Sequence, residues 1–252
     1  MGCIAVLLFL LGLPWRMDVT YRTVKSEKLK RKTRLCVLAD VHCRRFPKIR
    51  KIVDEAKPDL VIIPGDLFDT GRDFSISFDL IDSLKGYPVF FTSGNHDVYL
   101  PEINELRRKL RQKGVHVLEN TGMETGDLEI TGMSDQGDMP SFAGGQMQKW
   151  IHTDKYHILI SHRPHYMPFY AETPFDLVIS GHAHGGQWRL PFTHCGIIAP
   201  QQGFFPRYTE GLHVLGKQRY LFISRGLASG APWFFRFCNN PEVCFLDLEP
   251  DL

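Results

Sequence analysis

Five short signatures follow one another along the chain: Asp40-Val41-His42, Gly65-Asp66, Gly94-Asn95-His96-Asp97, Ser161-His162 and Gly181-His182-Ala183-His184. Together they supply carboxylates, one amide and several imidazoles. That mixed N/O donor set suits Mn2+, Fe or Zn2+ better than Mg2+ or Ca2+. A carboxylate can bridge two cations because both of its oxygens accept. Two divalent metals held side by side would clamp phosphoryl oxygens and acidify a water, which is chemistry suited to hydrolysing phosphate esters.

Such a set needs a scaffold that brings distant residues to one place, and the flanking sequence supplies it. Residues 34–39, 59–63, 88–92, 157–160 and 176–179 are apolar runs that read as buried strands, and each ends at one of the signatures. Between the first three, Ile49, Ile52, Val53 and Ala56, then Phe74, Phe78, Ile81 and Leu84, fall at helical spacing. Pro101 opens a third helix carrying Ile103, Leu106 and Leu110. Strand–helix alternation predicts right-handed βαβ units and a mainly parallel sheet, whose ligands collect at the carboxyl ends of the strands. The later part is richer in strands, at 115–118, 128–130, 220–223 and 243–246. Residues 134–145 and 185–206 read as loops over the site.

The chain has 252 residues, 43% hydrophobic and 23% charged, enough for one large α/β core. A net charge of +2 and the lack of a basic stripe interleaved with aromatics argue against a nucleic-acid substrate. The 6 cysteines form no CxxC pair, so no structural zinc or thioredoxin-type site is expected. Residues 2–13 are almost wholly apolar, but a bilayer-spanning helix needs about 20 such residues. A basic stretch follows (Lys25, Lys28, Lys30, Arg31, Lys32, Arg34). An apolar anchor backed by basic residues would hold the protein at an anionic membrane face. The expected organisation is therefore an N-terminal segment, residues 1–33, acting as anchor or leader, and a catalytic domain over 34–252. Membrane or envelope association is the expected location, with the cytoplasm as the alternative.

The ordered series Asp-x-His, Gly-Asp, Gly-Asn-His-Asp, His, Gly-His-x-His resembles the calcineurin-like metallophosphoesterase superfamily over about residues 34–250. The segments 185–191 and 203–211 are similar to those of its bacterial YkuE/YaeI-type branch. The resemblance implies an α/β fold, a four-layer α/β/β/α sandwich with two mixed sheets. It implies that Asp40, His42, Asp66 and His184 hold one metal, and that Asp66 bridges to a second held by Asn95, His162 and His182. A metal-bridging hydroxide would attack phosphorus in line. His96 is then placed to protonate the leaving oxygen, and Asp97 to orient its imidazole.

His165, three residues after His162, and Arg207 are expected at the substrate, while Asp69 and Asp73 are expected as solvated loop carboxylates. His116, His152, His157, His194 and His213 read as structural. The expected substrate is a small or lipid-linked phosphodiester or monoester, acted on by a monomer. The alternatives are a protein Ser/Thr phosphatase and a non-catalytic metal-binding scaffold. Against the former, Ser93 precedes Gly94 and residues 67–70 carry no Arg to grip phosphate. Against the latter, no expected ligand is missing.

Overall fold

The computed structural model describes residue 10 and residues 12–135, 154–228 and 235–251. Along the first half run β1 (Asp18–Ser26), β2 (Thr33–Val37), α1 (Ile49–Ala56), β3 (Leu60–Pro64), α2 (Ser75–Ser83) and β4 (Val89–Thr92). Then come α3 (Asn95–Val98), α4 (Ile103–Gln112), β5 (His116–Val117), β6 (Thr121–Thr125) and β7 (Leu128–Met133). The second half holds β8 (Tyr156–Ser161), α5 (Met167–Glu172), β9 (Leu177–Ser180), β10 (Ile198–Ala199), β11 (Gly203–Phe204), β12 (Gly211–Gly216), β13 (Arg219–Ile223) and β14 (Glu242–Pro250).

Two mixed six-stranded sheets result, in the orders β1-β14-β2-β3-β4-β5 and β12-β13-β9-β8-β7-β6. Strands β2 to β5 are mutually parallel, as are β7, β8, β9 and β13. The alternation of side chains along each strand sorts the core into three layers. Leu35, Ile62 and Phe90 point between the sheets and meet Ile158, Ile160 and Ile179. Cys36, Val61 and Phe91 point the other way, onto Val53 of α1, Ile81 of α2 and Leu106 of α4. On the far face of the second sheet, Leu159 and Val178 pack on Tyr170 of α5 and on Phe175. Burying each such side chain is worth about 1.5–3 kcal/mol. The outcome is the expected four-layer α/β/β/α sandwich.

The boundary expected at residue 34 falls inside this assembly. Residues Asp18–Ser26 form β1, paired in parallel with β14 at the edge of the first sheet. The basic stretch is also drawn into the fold. Lys28 lies 2.9 Å from Asp176, Lys32 2.7 Å from Glu249, and Arg34 makes a two-pronged pair with Asp247. Most of the apolar run 2–13 and half of loop 134–145 or more lie outside the described residues, as does His152. Among the described residues no helix is long and apolar enough to cross a membrane. The five described cysteines, Cys36, Cys43, Cys195, Cys238 and Cys244, are free thiols.

Candidate metal centre

Three of the five strands that deliver a signature, β2, β3 and β9, lead into left-handed residues. Asp40 (φ 52°), His42 (49°), Asp66 (53°), His182 (66°) and His184 (46°) all have positive φ. Such conformations are uncommon outside glycine, although Asp and His adopt them more readily than most. Left-handed backbone costs about 1–2 kcal/mol per residue, so its recurrence at five site residues marks a geometry imposed by the surroundings. The loops after β2 and β3 run side by side, with the N–H of Asp40 donating to Gly65 O (3.3 Å) and that of His42 to Asp66 O (3.0 Å). The N–H of His182, from the second sheet, donates to both oxygens of Asp40 (3.1 Å each). Close approach also dictates glycine: a Cβ on Gly94 would overlap the Asp66 carboxylate, and one on Gly226 would overlap that of Asp40.

Three overlapping groups of donors result: Asp40, His42 and His184; His42, Asp66 and His96; and Asp66, His162 and His182. Asp66 Oδ2 lies 3.6 Å from His42 Nε2 and 3.0 Å from His162 Nε2. Neither contact has hydrogen-bond geometry, so Asp66 Oδ2 and His42 Nε2 are buried without a hydrogen-bond partner, as is Asn95 Oδ1. Buried polar atoms are almost always satisfied, and the Asp66 and His42 orphans, 3.6 Å apart with Asn95 Oδ1 a third buried orphan on the adjoining turn, fit a cation site. The imidazoles are set for it from behind. His162 Nδ1–H donates to Pro64 O (2.8 Å) and His184 Nδ1–H to Ala228 O (3.0 Å), which leaves each Nε2 a bare acceptor. His182 Nε2–H donates to Gln201 Oε1, so its Nδ1 is bare and faces His162 Nε2 at 3.1 Å. Two lone pairs at that distance repel unless a proton or a cation stands between them.

The electrostatics agree. Burial pulls the His162 pKa down, but Asp66, Asp40 and the Pro64 carbonyl outweigh it and hold it at about 10. Without metal, His162 therefore carries the proton that separates it from His182. Burial and the neighbouring His162 keep His182 well below the usual imidazole range; burial, His42 and Arg236 do the same for His184. Burial raises Asp66, yet His162 and His42 bring it well below the carboxylate range, while burial leaves Asp40 raised. Neutral His182 and His184 and an ionised Asp66 are already in the states a metal requires, and His162 reaches its own by releasing a proton.

Asp40, His42, Asp66, His96, His162, His182 and His184 all come together here, and Asn95 sits between Gly94 and His96, both of which abut Asp66. The expected partner of His96 does not hold. His96 Nδ1 is 2.8 Å from Asp69 Oδ1, and His42 Nδ1 is 3.3 Å from Asp69 Oδ2, so Asp69 is a site residue and not a solvated loop carboxylate. Asp97 instead accepts the N–H groups of Gly94 and Phe68 (2.8 Å each), because its position in the first turn of α3 turns it back under the Gly65-Asp66 loop. His165 is half-buried, its ring 6.0 Å from that of His182. Burial, then Arg163, lowers its pKa to about 4. Arg207 is exposed over the Tyr208 ring. Gln201, Asn239 and Arg236 had no motif to betray them. Arg236 is fully buried and donates to the carbonyls of Ala228, His184 and Arg225, behind His184. Asn239 donates to His184 O (2.7 Å).

This fold and this centre define a metal-dependent phosphoesterase, and the chain belongs to the calcineurin-like phosphoesterase family, whose model matches residues 33–186. It is similar to the phosphodiesterase YaeI of Escherichia coli, 30% identical over 234 residues, covering 85% of this chain and 82% of that one. An uncharacterised metallophosphoesterase of Campylobacter jejuni is also 30% identical, over 242 residues and 90% of this chain; the chain spans 62% of that protein's length. YkuE of Bacillus subtilis is 25% identical, covering 94% of this chain and 87% of its own. Among solved structures, the Plasmodium inner-membrane-complex anchor GAP50 shares the fold, with a TM-score of 0.50 at 13% identity over 86% of this chain and 81% of its own.

Proposed function

We propose that this chain hydrolyses phosphoesters, diesters foremost, at a centre that takes two divalent cations. The observation that carries the reading is Asp66, whose unpartnered Oδ2 belongs both to the His42 group and to the His162–His182 group. Asp40, His42, Asp66 and His184 would hold one cation, and Asp66, Asn95, His162 and His182 the other. When bound, such a pair supplies Lewis acidity to phosphoryl oxygens and acidifies the attacking water.

The chain's own residues do the rest. Asp69 fixes the His96 ring through Nδ1 and leaves Nε2 to meet the leaving oxygen. In the metal-free protein burial lowers the His96 pKa, but Asp69 and Asp66 outweigh it and raise it to about 9. The Asp69 contact is the part that would favour a protonated ring, as a general acid needs, once Asp66 holds cations. Asp97 braces the Gly94 turn, keeping Asn95 and His96 aimed at the centre. Neutral His165, beside His182, lines the approach of substrate. The name phosphodiesterase borne by the E. coli relative supports the diester preference. Turnover of bis-p-nitrophenyl phosphate, measured with and without Mn2+, tests this: metal-stimulated release of nitrophenol is expected. Activity confined to phosphopeptides would favour a protein phosphatase, and none with any metal a binding scaffold.

A further inference from the structure

Arg44 stands two residues past His42, and among the described residues it is the one buried or half-buried arginine left without a partner. Its Nε is buried with no acceptor, and no carboxylate or carbonyl meets its guanidinium. Elsewhere the fold satisfies such groups. Arg34, Arg107, Arg163, Arg189 and Arg225 face carboxylates, and Arg219 and Arg236 donate to carbonyls. Burying part of a guanidinium without a counter-charge is costly, which points to completion from outside the chain. The N–H of neighbouring Cys43 donates to Leu67 O (3.2 Å), which lays this loop along the one that carries Asp69. The Asp69 carboxylate already faces the rings of His96 and His42 (2.8 and 3.3 Å). Arg72, whose N–H donates to Asp69 O (3.3 Å), brings a second guanidinium that is unpaired among the described residues. Burial, then the charge of Arg72, pulls the Arg44 pKa below the usual arginine value, with Asp69 opposing. Arg44 also lines a pocket of about 180 Å³ with Phe46, Ile76 and Leu80. The other arginines of that pocket are paired, Arg45 with Asp79 (3.2 Å) and Arg50 with Asp54 (2.7 Å).

We propose that Arg44, assisted by Arg72, recognises a second phosphate group on the substrate, apart from the ester that reaches the metal centre. Both residues lie on the loops that carry His42 and Asp69, so a group held there stays within reach of the reacting ester. Two neighbouring guanidinium charges match a dianionic phosphate better than a carboxylate, and a guanidinium fork grips phosphate oxygens in pairs. The substrate class is then a phosphodiester that bears a further phosphate. The substrate role rests on the hydrolytic reading above; the anion site does not.

Equilibrium dialysis of the full chain against inorganic phosphate tests the site. It is read beside kcat/KM for p-nitrophenyl hexyl phosphate with and without a terminal phosphate on the hexyl chain. Arg44→Gln should bind one phosphate fewer per chain than wild type, whether or not metal occupies the centre, and Arg44→Lys should restore it. Wild type should prefer the terminally phosphorylated ester by roughly ten-fold or more, and Arg44→Gln should erase that preference. If Arg44→Gln folds poorly, Arg72→Gln on its exposed turn decides: phosphate binding should weaken by roughly two- to five-fold. The proposal is overturned if wild type and Arg44→Gln bind phosphate alike, if Arg72→Gln binds like wild type, or if wild type handles the two esters equally. Phosphate binding that depends on Arg44, without hydrolysis of either ester, would leave the anion site intact and remove the catalytic reading. Hydrolysis of both esters without preference would do the reverse.

Discussion

Two clusters of buried charge sit in this protein, and they are built on opposite principles. Around Glu210, Arg189 makes a two-pronged ion pair at 2.5 Å on each arm, and Arg225 lies 3.3 Å from Glu210, 3.1 Å from Asp18 and 3.4 Å from Glu242. Every cation there faces an anion, and the network ties the loop after β9 to β1 and β14. Around Asp66 the charges do not close. Asp66 Oδ2, His42 Nε2 and Asn95 Oδ1 lack partners, and the His162 and His182 rings face each other nitrogen to nitrogen at 3.1 Å, with only the His162 proton between them. The Glu210 cluster is the less deeply buried of the two and its charges are all paired, with only Arg225 Nε lacking a hydrogen bond. The Asp66 cluster is fully buried and left open, as expected of one completed by a ligand.

Breaking the open cluster should cost function, and breaking the closed one should cost stability. The largest effect is expected of Asp66→Asn, which removes the shared charge. It should abolish metal binding, read by elemental analysis, while the chain stays folded by circular dichroism. Next, Glu210→Gln should lower unfolding free energy in urea by about 3 kcal/mol and leave metal content alone. Burial raises the Glu210 pKa, but Arg189, His194 and Arg225 outweigh it and hold it at about 2, against an ordinary value of 4.5. Its contribution is thus present above pH 4.5 and lost as pH falls toward 2, and the variant should lack that acid-side slope.

A comparable but purely kinetic effect is expected of His96→Ala: about 10²-fold lower turnover with metal content retained. Unchanged turnover would remove His96 from the chemistry. The smallest effect is a proton count. With its pKa held at about 10, His162 is protonated in the metal-free protein at pH 7, so cation binding should expel that proton. Calorimetric titrations in buffers of different ionisation enthalpy would register the release, and it should fade as pH rises toward 10.

Much of the open cluster was legible in the sequence, and the closed one was not. Asp40, His42, Asp66, His162, His182 and His184 stand where continuous apolar runs stop, and a buried parallel strand leaves that trace. The edge strands β1, β6 and β12 left a weaker one, since their faces are largely solvated and their patterns short; hence residues 18–33 looked like a leader although β1 pairs with β14 over nine residues. Asp69 looked like any loop acid because its partners, His42 and His96, come from two other signatures. Proximity in the sequence suggested Asp97 for His96, but a residue at the third position of a helix turns its carboxylate back to the N-terminal N–H groups. Arg236, Asn239 and Gln201 act through backbone carbonyls or one ring nitrogen, contacts that no local spacing encodes.

The central claim is that Asp66 joins two cation sites into one centre. Elemental analysis of protein purified without added metal and then loaded with Mn2+ or Zn2+ tests it most directly. About two ions per wild-type chain are expected. A plateau at one ion or none, under every loading condition, would contradict the account.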